Sequence, residues 1–241
     1  MQCGLLGGKL GHSYSPQIHG RLGDYAYALF EKNPEELENF LRNGDFSGLN
    51  VTIPYKKAVI PYCAQLSSQA AELGSVNTVI RLPDGTLYGD NTDYYGFYKM
   101  LERSRLNIKG KKVLVLGSGG ASVTVRAVLS HAQANVVTIS RSGADNYTNL
   151  HLHRDAAVIV NTTPVGMYPN TGISPIDLAL FPQLEGVLDV VYNPARTQLL
   201  LDAENLNIPT ENGLSIYMWQ MAETSYRFSF HYQTETQANL M

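Results

Sequence analysis

The chain has 241 residues, of which 44% are hydrophobic, and its formal net charge is −3. This length allows one large or two small domains with a real core, and the apolar content excludes a disordered or low-complexity chain. No basic excess or basic run is present, so we expect no nucleic-acid partner. No apolar stretch approaches membrane-spanning length. We therefore expect a small-molecule ligand and no membrane association.

The cysteine and histidine patterns give no sign of a metal site. Cys3 and Cys63 form neither a disulfide framework nor a metal-ligand spacing, and none of the 6 histidines is spaced with carboxylates as a ligand set. His151 and His153 are expected to be solvated. Residues 1–6 (MQCGLL) lack the cationic and long apolar regions of a signal peptide. We expect a reduced, cytoplasmic protein.

The first polar motif, residues 12–16 (HSYSP), follows a short expected strand at residues 4–7 and precedes a helical pattern. Ser15 before Pro16 is typical of a helix N-cap. In an extended segment, residues two apart share a face, so Ser13 and Ser15 would present two hydroxyls beside a helix N-terminus that favours anions. The motif indicates either capping alone or a carboxylate site.

Two charged residues, Lys56 and Asp93, follow expected strands of the first half. Lys56 comes after a strand over residues 49–53 that Pro54 must end, and it is placed in or just before the first turn of the next helix. A cation is electrostatically unfavourable there, which favours a functional role over a solvated lysine. Asp93 is either an N-cap or, with Asn77 nearby, part of an acid–base pair with Lys56. Residues 76–82 and 86–88 between them are predicted to form a hairpin.

A glycine turn in the second half predicts a dinucleotide site. Residues 113–116 (VLVL) form a continuous apolar run, typical of a buried parallel strand, and lead into residues 117–121 (GSGGA) and a helical pattern. Glycines there let the backbone approach a phosphate at the helix N-terminus. Further strands are expected over residues 136–140, 157–161, 187–191 and 208–210. Their alternation with helices predicts a doubly wound sheet.

The end of the second of these strands indicates which dinucleotide binds. It carries Ser140, Arg141 and Ser142, without an acidic residue at its tip. An acid would accept a hydrogen bond from the ribose 2′-hydroxyl of NAD, whereas arginine with neighbouring hydroxyls suits the extra phosphate of NADP. We expect NADP, with NAD as the less favoured cofactor.

In this order, the motifs of the chain resemble those of the shikimate dehydrogenase family over nearly its whole length. The matching stretches are residues 12–16 (HSYSP), 50–56 (NVTIPYK), 75–78 (SVNT), 89–93 (GDNTD), 117–121 (GSGGA), 161–166 (NTTPVG), 191–194 (VYNP) and 212–214 (NGL), with Gln220. The resemblance implies an α/β fold with an N-terminal α/β substrate domain, residues 1–96 with 215–241, and a C-terminal Rossmann-like doubly wound NADP domain, residues 97–214. A cleft is expected between the two domains.

The resemblance further implies reversible oxidation of shikimate to 3-dehydroshikimate with NADP, in aromatic amino acid and chorismate biosynthesis, by a monomer or homodimer. It assigns catalysis to Lys56 and Asp93. It assigns substrate contacts to Ser13, Ser15, Thr52, Asn77, Asp93, Tyr192 and Gln220. It assigns cofactor contacts to Gly117, Ser118, Gly119, Gly120, Ala121, Ser140, Arg141, Ser142, Val190 and Gly213.

Two departures from the family pattern concern the cofactor domain. The usual Asn-Arg-Thr-x-x-Arg clamp is reduced to Ser140, Arg141 and Ser142 without the second arginine. The stretch between Arg141 and Ala157 is short, so a helix found in longer relatives is expected to be missing.

Two other functions are compatible with the same fold. One is a relative that oxidises quinate, or both substrates, with NAD. The other is a ligand-sensing protein without turnover, although Lys56, Asn77 and Asp93 argue against it because a sensor has no need of an acid–base pair.

Overall fold

The computed structural model describes residues 1–11 and 13–238, so His12 of the first polar motif and residues 239–241 lie outside the described residues. Two compact units are present, Met1–Asp93 with Gln220–Met241, and Tyr94–Trp219. Each is built on a β-sheet with helices, which confirms the α/β class. The assignment of residues 1–96 with 215–241 to substrate and of 97–214 to cofactor stays a prediction.

The elements alternate between strands and helices along most of the chain. The strands are β1 (Gln2–Gly7), β2 (Ala26–Glu31), β3 (Gly48–Val51), β4 (Gln65–Leu66), β5 (Thr78–Arg81), β6 (Leu87–Asp90), β7 (Lys112–Leu116), β8 (Asn135–Ile139), β9 (Val158–Asn161), β10 (Gly186–Asp189) and β11 (Thr210–Asn212). The helices are α1 (Ser15–Leu22), α2 (Pro34–Asn43), α3 (Ser68–Leu73), α4 (Thr92–Ser104), α5 (Gly120–His131), α6 (Gln198–Asn205) and α7 (Leu214–Ala238).

The first unit contains a six-stranded sheet in the order β2-β1-β3-β5-β6-β4. β1 runs parallel to β2 and β3, whereas β5 runs antiparallel to both β3 and β6, which confirms the predicted hairpin. The register pairs Asn50 with Thr78, and Thr78 with Asp90. The carboxyl ends of β1, β3 and β6 and the amino end of β5 therefore lie at one edge, which we call the substrate edge.

The core of the first unit is formed by apolar residues of the sheet and of α2. Leu37 and Leu41 share the buried face of α2, which begins with a capping box between Asn33 and Glu36. On β3, a side chain added at Gly48 would collide with the ring of Phe228 from α7. The absence of a side chain at this position therefore lets α7 approach the sheet closely.

The second unit contains a five-stranded, entirely parallel sheet in the order β11-β10-β9-β7-β8. Its carboxyl ends all lie at one edge, which we call the cofactor edge. After β8 the chain crosses to the other side of β7 to form β9, so a topological switch point lies between β7 and β9. Ligands of doubly wound sheets bind outside the carboxyl ends at such a point.

The second sheet confirms four of the five predicted strands, each of which contains at least three of the predicted residues. It corrects the last strand, which shares only Thr210 with its prediction. β11 spans Thr210–Asn212 rather than residues 208–210, because its pairing with β10 continues until Asn212 lies opposite Asp189. Between β8 and β9, where every residue is described, the only helical element is a 3₁₀ turn at Leu150–His153. The helix expected to be missing from this stretch is indeed absent.

Candidate functional site

Lys56 and Asp93 form an ion pair at the substrate edge. Lys56 lies in the turns that follow β3, and Asp93 is the second residue of α4. Lys56 Nζ is 2.6 Å from Asp93 Oδ2, and the two side chains are 34% and 32% exposed. The structure thus brings together an amine and a carboxylate that a ligand can reach, the arrangement needed to exchange a proton with it.

The structure corrects the expected helix N-terminus at Lys56 and the expected N-cap role of Asp93. Residues 53–59 form turns, and the first helical segment after them is a short 3₁₀ helix at Ile60–Tyr62, so Lys56 lies at no helix N-terminus. The turns are closed by hydrogen bonds from Tyr55 N to Thr52 O (2.8 Å) and from Val59 N to Tyr55 O (3.0 Å). Asp93 is not an N-cap, because α4 already begins at Thr92. Its carboxylate lies in the first turn, where the helix dipole favours a negative charge.

Asn77 is held by the start of α4. Its Oδ1 accepts hydrogen bonds from the Thr92 backbone N–H (2.7 Å), the Thr78 hydroxyl (3.0 Å) and the Thr92 hydroxyl (3.2 Å). A backbone N–H can only donate, so this contact fixes which amide atom is the oxygen. Asn77 Nδ2 has no acceptor among the described residues and can donate to a ligand. Thr52, also expected to contact substrate, is partly buried and bonds through its backbone N–H to Leu6 O (2.9 Å).

Ser13 and Ser15 place their hydroxyls together at the start of α1. The two Oγ atoms are 3.0 Å apart, and Ser13 Oγ accepts the Ser15 backbone N–H at 3.2 Å. The expected extended segment is wrong, because Tyr14 between them is helical (φ −81°, ψ −3°) and Ser15 is the first helical residue rather than the cap. The hydroxyls meet because the Ser13 side chain folds back onto the helix N-terminus.

Gln220, on α7, belongs to the first unit and bonds to two threonines. Its Nε2 donates to Thr92 Oγ1 at 3.2 Å and to Thr224 Oγ1 at 3.1 Å. Both hydrogens of the amide are therefore used within the protein, and Gln220 Oε1 bonds to none of the described residues. Sequence reasoning did not single out Thr92 or Thr224. The spacing of four residues between Gln220 and Thr224, which puts both on one helix face, is the signal that could have indicated Thr224.

The glycine turn of the second unit leaves the N-terminus of α5 open. Gly117 has φ +105°, and an added Cβ would lie 2.9 Å from Thr162 Oγ1, so glycine is required there. Gly119 and Gly120 begin α5, and an added Cβ at either would meet no atom within 4 Å. Ser118 and Ala121 beside them are exposed. Open space at a helix N-terminus, without side chains, fits a dinucleotide pyrophosphate.

Arg141 lies at the cofactor edge directly after β8. Arg141 and Ser142 are exposed, and Ser140 is partly buried, with its N–H bonded to Asp145 O at 3.1 Å. Burial raises the pKa of Tyr147, and the positive charge of Arg141 acts in the opposite direction. The arginine lies on the loop where a 2′-phosphate is expected.

The expectation of a solvated His153 is wrong. His153 is only 8% exposed, and its Nε2 lies 2.9 Å from Asp145 Oδ1. Asp145 lies in the loop after β8, and its contact with His153 joins that loop to the 3₁₀ turn that precedes β9. This contact lies in the short segment from which a helix found in longer relatives was expected to be missing.

A buried carboxylate, Asp189, shapes the loop after β10. Burial raises its pKa to about 6, although it accepts hydrogen bonds from the Thr197 hydroxyl (2.7 Å), Val191 N (3.0 Å) and Asn161 Nδ2 (3.0 Å). Val190 lies between two of these contacts and is partly buried. A side chain at Gly213 would collide with the Val190 carbonyl. The glycine therefore permits close approach of these two predicted cofactor contacts.

Tyr192, a predicted substrate contact, lies in the second unit after β10. It is 45% exposed and stacks on Tyr217, with ring centroids 5.2 Å apart. Among the described residues, no cluster of three or more His, Cys, Asp or Glu side chains could hold a metal ion. No described helix is both long and apolar enough to cross a bilayer.

Comparison with known proteins identifies relatives over nearly the full chain. Residues 5–79 match the family model of the shikimate dehydrogenase substrate binding domain. A shikimate dehydrogenase (NADP(+)) from Clostridium perfringens strain 13 is 36% identical over 239 residues, covering 90% of this chain and 88% of the relative.

Solved structures of relatives share the fold of this chain. A chorismate mutase/shikimate 5-dehydrogenase fusion protein from Clostridium acetobutylicum has a TM-score of 0.87 and 35% identity, covering 95% of this chain and 90% of that one. A shikimate 5-dehydrogenase from Thermus thermophilus, in complex with NADP(H) and shikimate, has a TM-score of 0.83 and 30% identity, covering 95% and 93%. With the motifs and the folds of both units, these similarities confirm the resemblance: the chain belongs to the shikimate dehydrogenase family.

Proposed function

We propose that the protein is an NADP-dependent shikimate dehydrogenase that reversibly oxidises shikimate to 3-dehydroshikimate. The observation that carries this proposal is the 2.6 Å pair of Lys56 and Asp93. Asn77 lies at the same sheet edge as the pair, and the second unit of the chain has a dinucleotide-type glycine turn. The Clostridium perfringens relative is named for NADP(+), and the Thermus thermophilus structure contains both NADP(H) and shikimate.

In this proposal, the substrate edge binds shikimate through neutral groups. Ser15 donates its hydroxyl to the carboxylate, and the Ser13 hydroxyl, which donates to Ser15 Oγ in the structure, turns to the carboxylate on binding. The positive end of the α1 dipole aids both contacts. Asn77 Nδ2 donates to a ring hydroxyl oxygen, and Gln220 Oε1 accepts a ring hydroxyl hydrogen. Thr52 completes the proposed contacts at this edge, and the role of Tyr192 of the second unit as a substrate contact stays a prediction. Donors and acceptors that match each ring hydroxyl orient the carbon to be oxidised.

The chemical step needs removal of a proton from a ring hydroxyl oxygen and of a hydride from the carbon that bears this hydroxyl. Lys56 and Asp93 take the hydroxyl proton, and the 2.6 Å separation of Nζ and Oδ2 lets the proton pass between them. When bound, the NADP nicotinamide supplies the acceptor for the hydride. Acid–base assistance of this kind contributes roughly 10² to 10⁴ in rate.

The cofactor is proposed to bind along the cofactor edge of the second sheet. Backbone N–H groups of Ser118, Gly119, Gly120 and Ala121 face the pyrophosphate at the start of α5, an arrangement that the open space around these residues supports. Arg141, with the hydroxyls of Ser140 and Ser142, binds the 2′-phosphate. Gly117, Val190 and Gly213 line the same edge.

A cytoplasmic location and a monomeric or homodimeric state belong to the same proposal. Cys3 and Cys63 are free thiols, as expected for a reducing compartment. Light scattering of the purified protein distinguishes monomer from dimer, and fractionation of the producing cells tests the location.

One assay tests the proposed activity against its alternatives. Purified protein is given shikimate or quinate, with NADP or NAD, and the absorbance of the reduced nicotinamide is followed. We expect the highest kcat/KM for shikimate with NADP. Faster turnover of quinate with NAD would instead identify a quinate dehydrogenase. Saturable shikimate binding without turnover of any pair would identify a ligand sensor.

A further inference from the structure

A group of buried hydroxyls and amides lies behind the substrate edge, which we call the hydroxyl network. It consists of side chains that are at most 7% exposed and connect β3, β5, α4 and α7, namely Asn50, Asn77, Thr78, Thr92 and Thr224. Gln220, which is partly buried, is connected to this network through Thr92 and Thr224. Buried polar groups of this kind are costly unless each finds a partner, so the arrangement of donors and acceptors is tightly constrained.

Thr224 lies at the junction of this network. Its Oγ1 accepts from Asn50 Nδ2 at 3.2 Å and from Gln220 Nε2 at 3.1 Å, and it lies 2.9 Å from Thr92 Oγ1. A hydroxyl has two acceptor sites and one hydrogen, and amide nitrogens only donate. Both acceptor sites are therefore filled. The Thr224 hydrogen points to Thr92, the nearer of two hydroxyl oxygens, since Thr78 Oγ1 is 3.4 Å away and donates its own hydrogen to Asn77 Oδ1.

The orientation of Asn50 is fixed from the other side of the network. Tyr27 donates its hydroxyl to Asn50 Oδ1 at 2.8 Å, which leaves Asn50 Nδ2 as the atom facing Thr224. Thr92, which receives the Thr224 hydrogen, can pass its own hydrogen to Asn77 Oδ1 at 3.2 Å. The hydrogen bonds therefore run in one direction, from Tyr27 to Asn77.

This direction decides which atom Gln220 presents to a ligand. With both Nε2 hydrogens held by Thr92 and Thr224, Oε1 is left to accept. Without the Thr224 hydroxyl, the amide would keep one threonine contact only, and the flipped amide, with Oε1 on a Thr92 hydrogen, would become a competing orientation. A flipped Gln220 would present a donor in place of an acceptor.

We propose that Thr224 is a positioning residue, which holds the Gln220 amide so that Oε1 accepts a hydrogen bond from a substrate ring hydroxyl. The inference rests on the proposed function, since it concerns how that substrate is oriented. It adds a residue remote from the reacting atoms that determines the affinity for a hydroxyl-bearing substrate.

The test compares Thr224→Val, which keeps the shape and removes the hydroxyl, with Thr224→Ser, which keeps the hydroxyl. We expect Thr224→Val to raise the KM for shikimate about tenfold with kcat changed less than about threefold, because the contact is made equally in ground and transition states. The KM for NADP should not change. Thr224→Ser should retain nearly the wild-type KM. Thr224→Ala replaces the valine variant, with the same expectation, if that variant does not fold.

Two further variants separate positioning from a loss of stability. Phe228→Leu alters the same helix at a residue that is 2% exposed and outside the hydroxyl network, and it should lower the Tm without changing the KM for shikimate. In a double-mutant cycle, Thr224→Val should add no further increase in KM to Gln220→Ala, because both changes remove the same contact.

Several outcomes would overturn the inference while leaving the proposed function intact. They are an unchanged KM in folded Thr224→Val, additive effects with Gln220→Ala, or an equal rise in KM in Thr224→Ser or Phe228→Leu. Absence of shikimate turnover by the wild-type protein is the separate result that would overturn the proposed function and this inference together.

Discussion

Two aspartates near the carboxyl ends of strands, Asp93 in the first unit and Asp189 in the second, are held in opposite ways. Asp93 is 32% exposed and pairs with the cation of Lys56. Asp189 is fully buried, and its hydrogen-bond donors are neutral: a hydroxyl, an amide and a backbone N–H. Burial raises the pKa of Asp189 to about 6.

The difference separates a carboxylate suited to exchanging a proton with a ligand from one that shapes a loop. An exposed carboxylate beside an amine can pass a proton to and from a substrate. A buried carboxylate without a cation pays the desolvation cost of its charge, and its hydrogen bonds instead fix the backbone after β10. Position at a sheet edge alone therefore does not identify the reactive acid; exposure and the charge of the partner do.

The largest effect is expected from removing Lys56, the cationic partner of Asp93, since Asp189 has no such partner. Lys56→Ala should lower kcat by roughly 10² to 10⁴ with NADP binding unchanged, because the proton loses its acceptor pair while the cofactor edge is untouched. Steady-state kinetics and a fluorescence titration of NADPH measure the two quantities. Lys57→Ala, at the exposed neighbouring residue, is the matched control. Near-normal turnover of Lys56→Ala would remove this lysine from the mechanism.

The second prediction concerns the pH dependence of the buried aspartate. The pKa of Asp189 is raised from 3.8 to about 6, so the folded protein holds this proton more tightly than the unfolded chain. Its contribution to stability is fully present below pH 4 and is lost as the pH rises through 6, a change of about 3 kcal/mol. The urea-unfolding free energy of the wild type should therefore include a decrease between pH 4 and 7 that comes from Asp189. In Asp189→Asn, this decrease should be absent.

Two other groups check the sign of that effect. Burial lowers the pKa of His19 to about 4, so its contribution weakens as the pH falls and opposes that of Asp189 in the wild type. The difference between wild type and Asp189→Asn cancels the His19 contribution. Asp155→Asn is the control, since the hydrogen bond from Lys112 lowers the pKa of this exposed carboxylate, so its contribution is lost only below about pH 4 and the difference from wild type should stay flat between pH 4 and 7. A flat difference for Asp189→Asn would contradict the prediction.

The third prediction compares how the two units are proposed to bind an anionic group of a ligand. The second unit offers a cation, Arg141, and we expect Arg141→Ala to weaken NADP roughly 10- to 100-fold with little effect on NAD, because only NADP carries the 2′-phosphate. Isothermal titration with both cofactors measures this. Arg154→Ala, at an exposed arginine before β9 rather than at the cofactor edge, should leave both affinities unchanged. Equal losses for NADP and NAD would reject the phosphate contact.

The smallest effect is expected in the first unit, where the proposed carboxylate site contains hydroxyls and no cation. Ser13→Ala should raise the KM for shikimate about tenfold with kcat nearly unchanged, because one hydrogen bond to a carboxylate is lost in ground and transition states alike. Ser68→Ala, at an exposed serine of α3, is the control for the same substitution. A fall in kcat with an unchanged KM would show that Ser13 contributes to the chemical step rather than to binding.

The sequence predicted the parts of the fold that depend on local pattern. Continuous apolar runs predicted β7 to β10, the glycines predicted the turn before α5, and motif resemblance indicated that Lys56 and Asp93 would meet. The sequence did not predict the local conformation around Ser13 and around Lys56. Nothing in the pattern required Tyr14 to have helical dihedral angles or residues 53–59 to form turns.

The long-range polar contacts could not be predicted from the sequence. The bond from Asn50 to Thr224 joins residues 174 positions apart, and that from Gln220 to Thr92 joins residues 128 apart. Each threonine alone is compatible with an ordinary helix or strand position, so only the packing of α7 against β3 reveals the network. The burial of His153 was missed for a different reason, because its partner Asp145 is only eight residues away but in a loop whose conformation no local pattern predicts.

The position of Gln220 and Thr224, more than 120 residues beyond Asp93 in the chain, has a consequence for synthesis. Because translation proceeds from the N-terminus, the ribosome completes the whole dinucleotide sheet before α7 emerges to join the first sheet. A nascent chain that ends before Gln220 has Lys56 and Asp93 but lacks these two groups. Ribosome-stalled chains of increasing length should therefore acquire shikimate affinity only after α7 has left the exit tunnel.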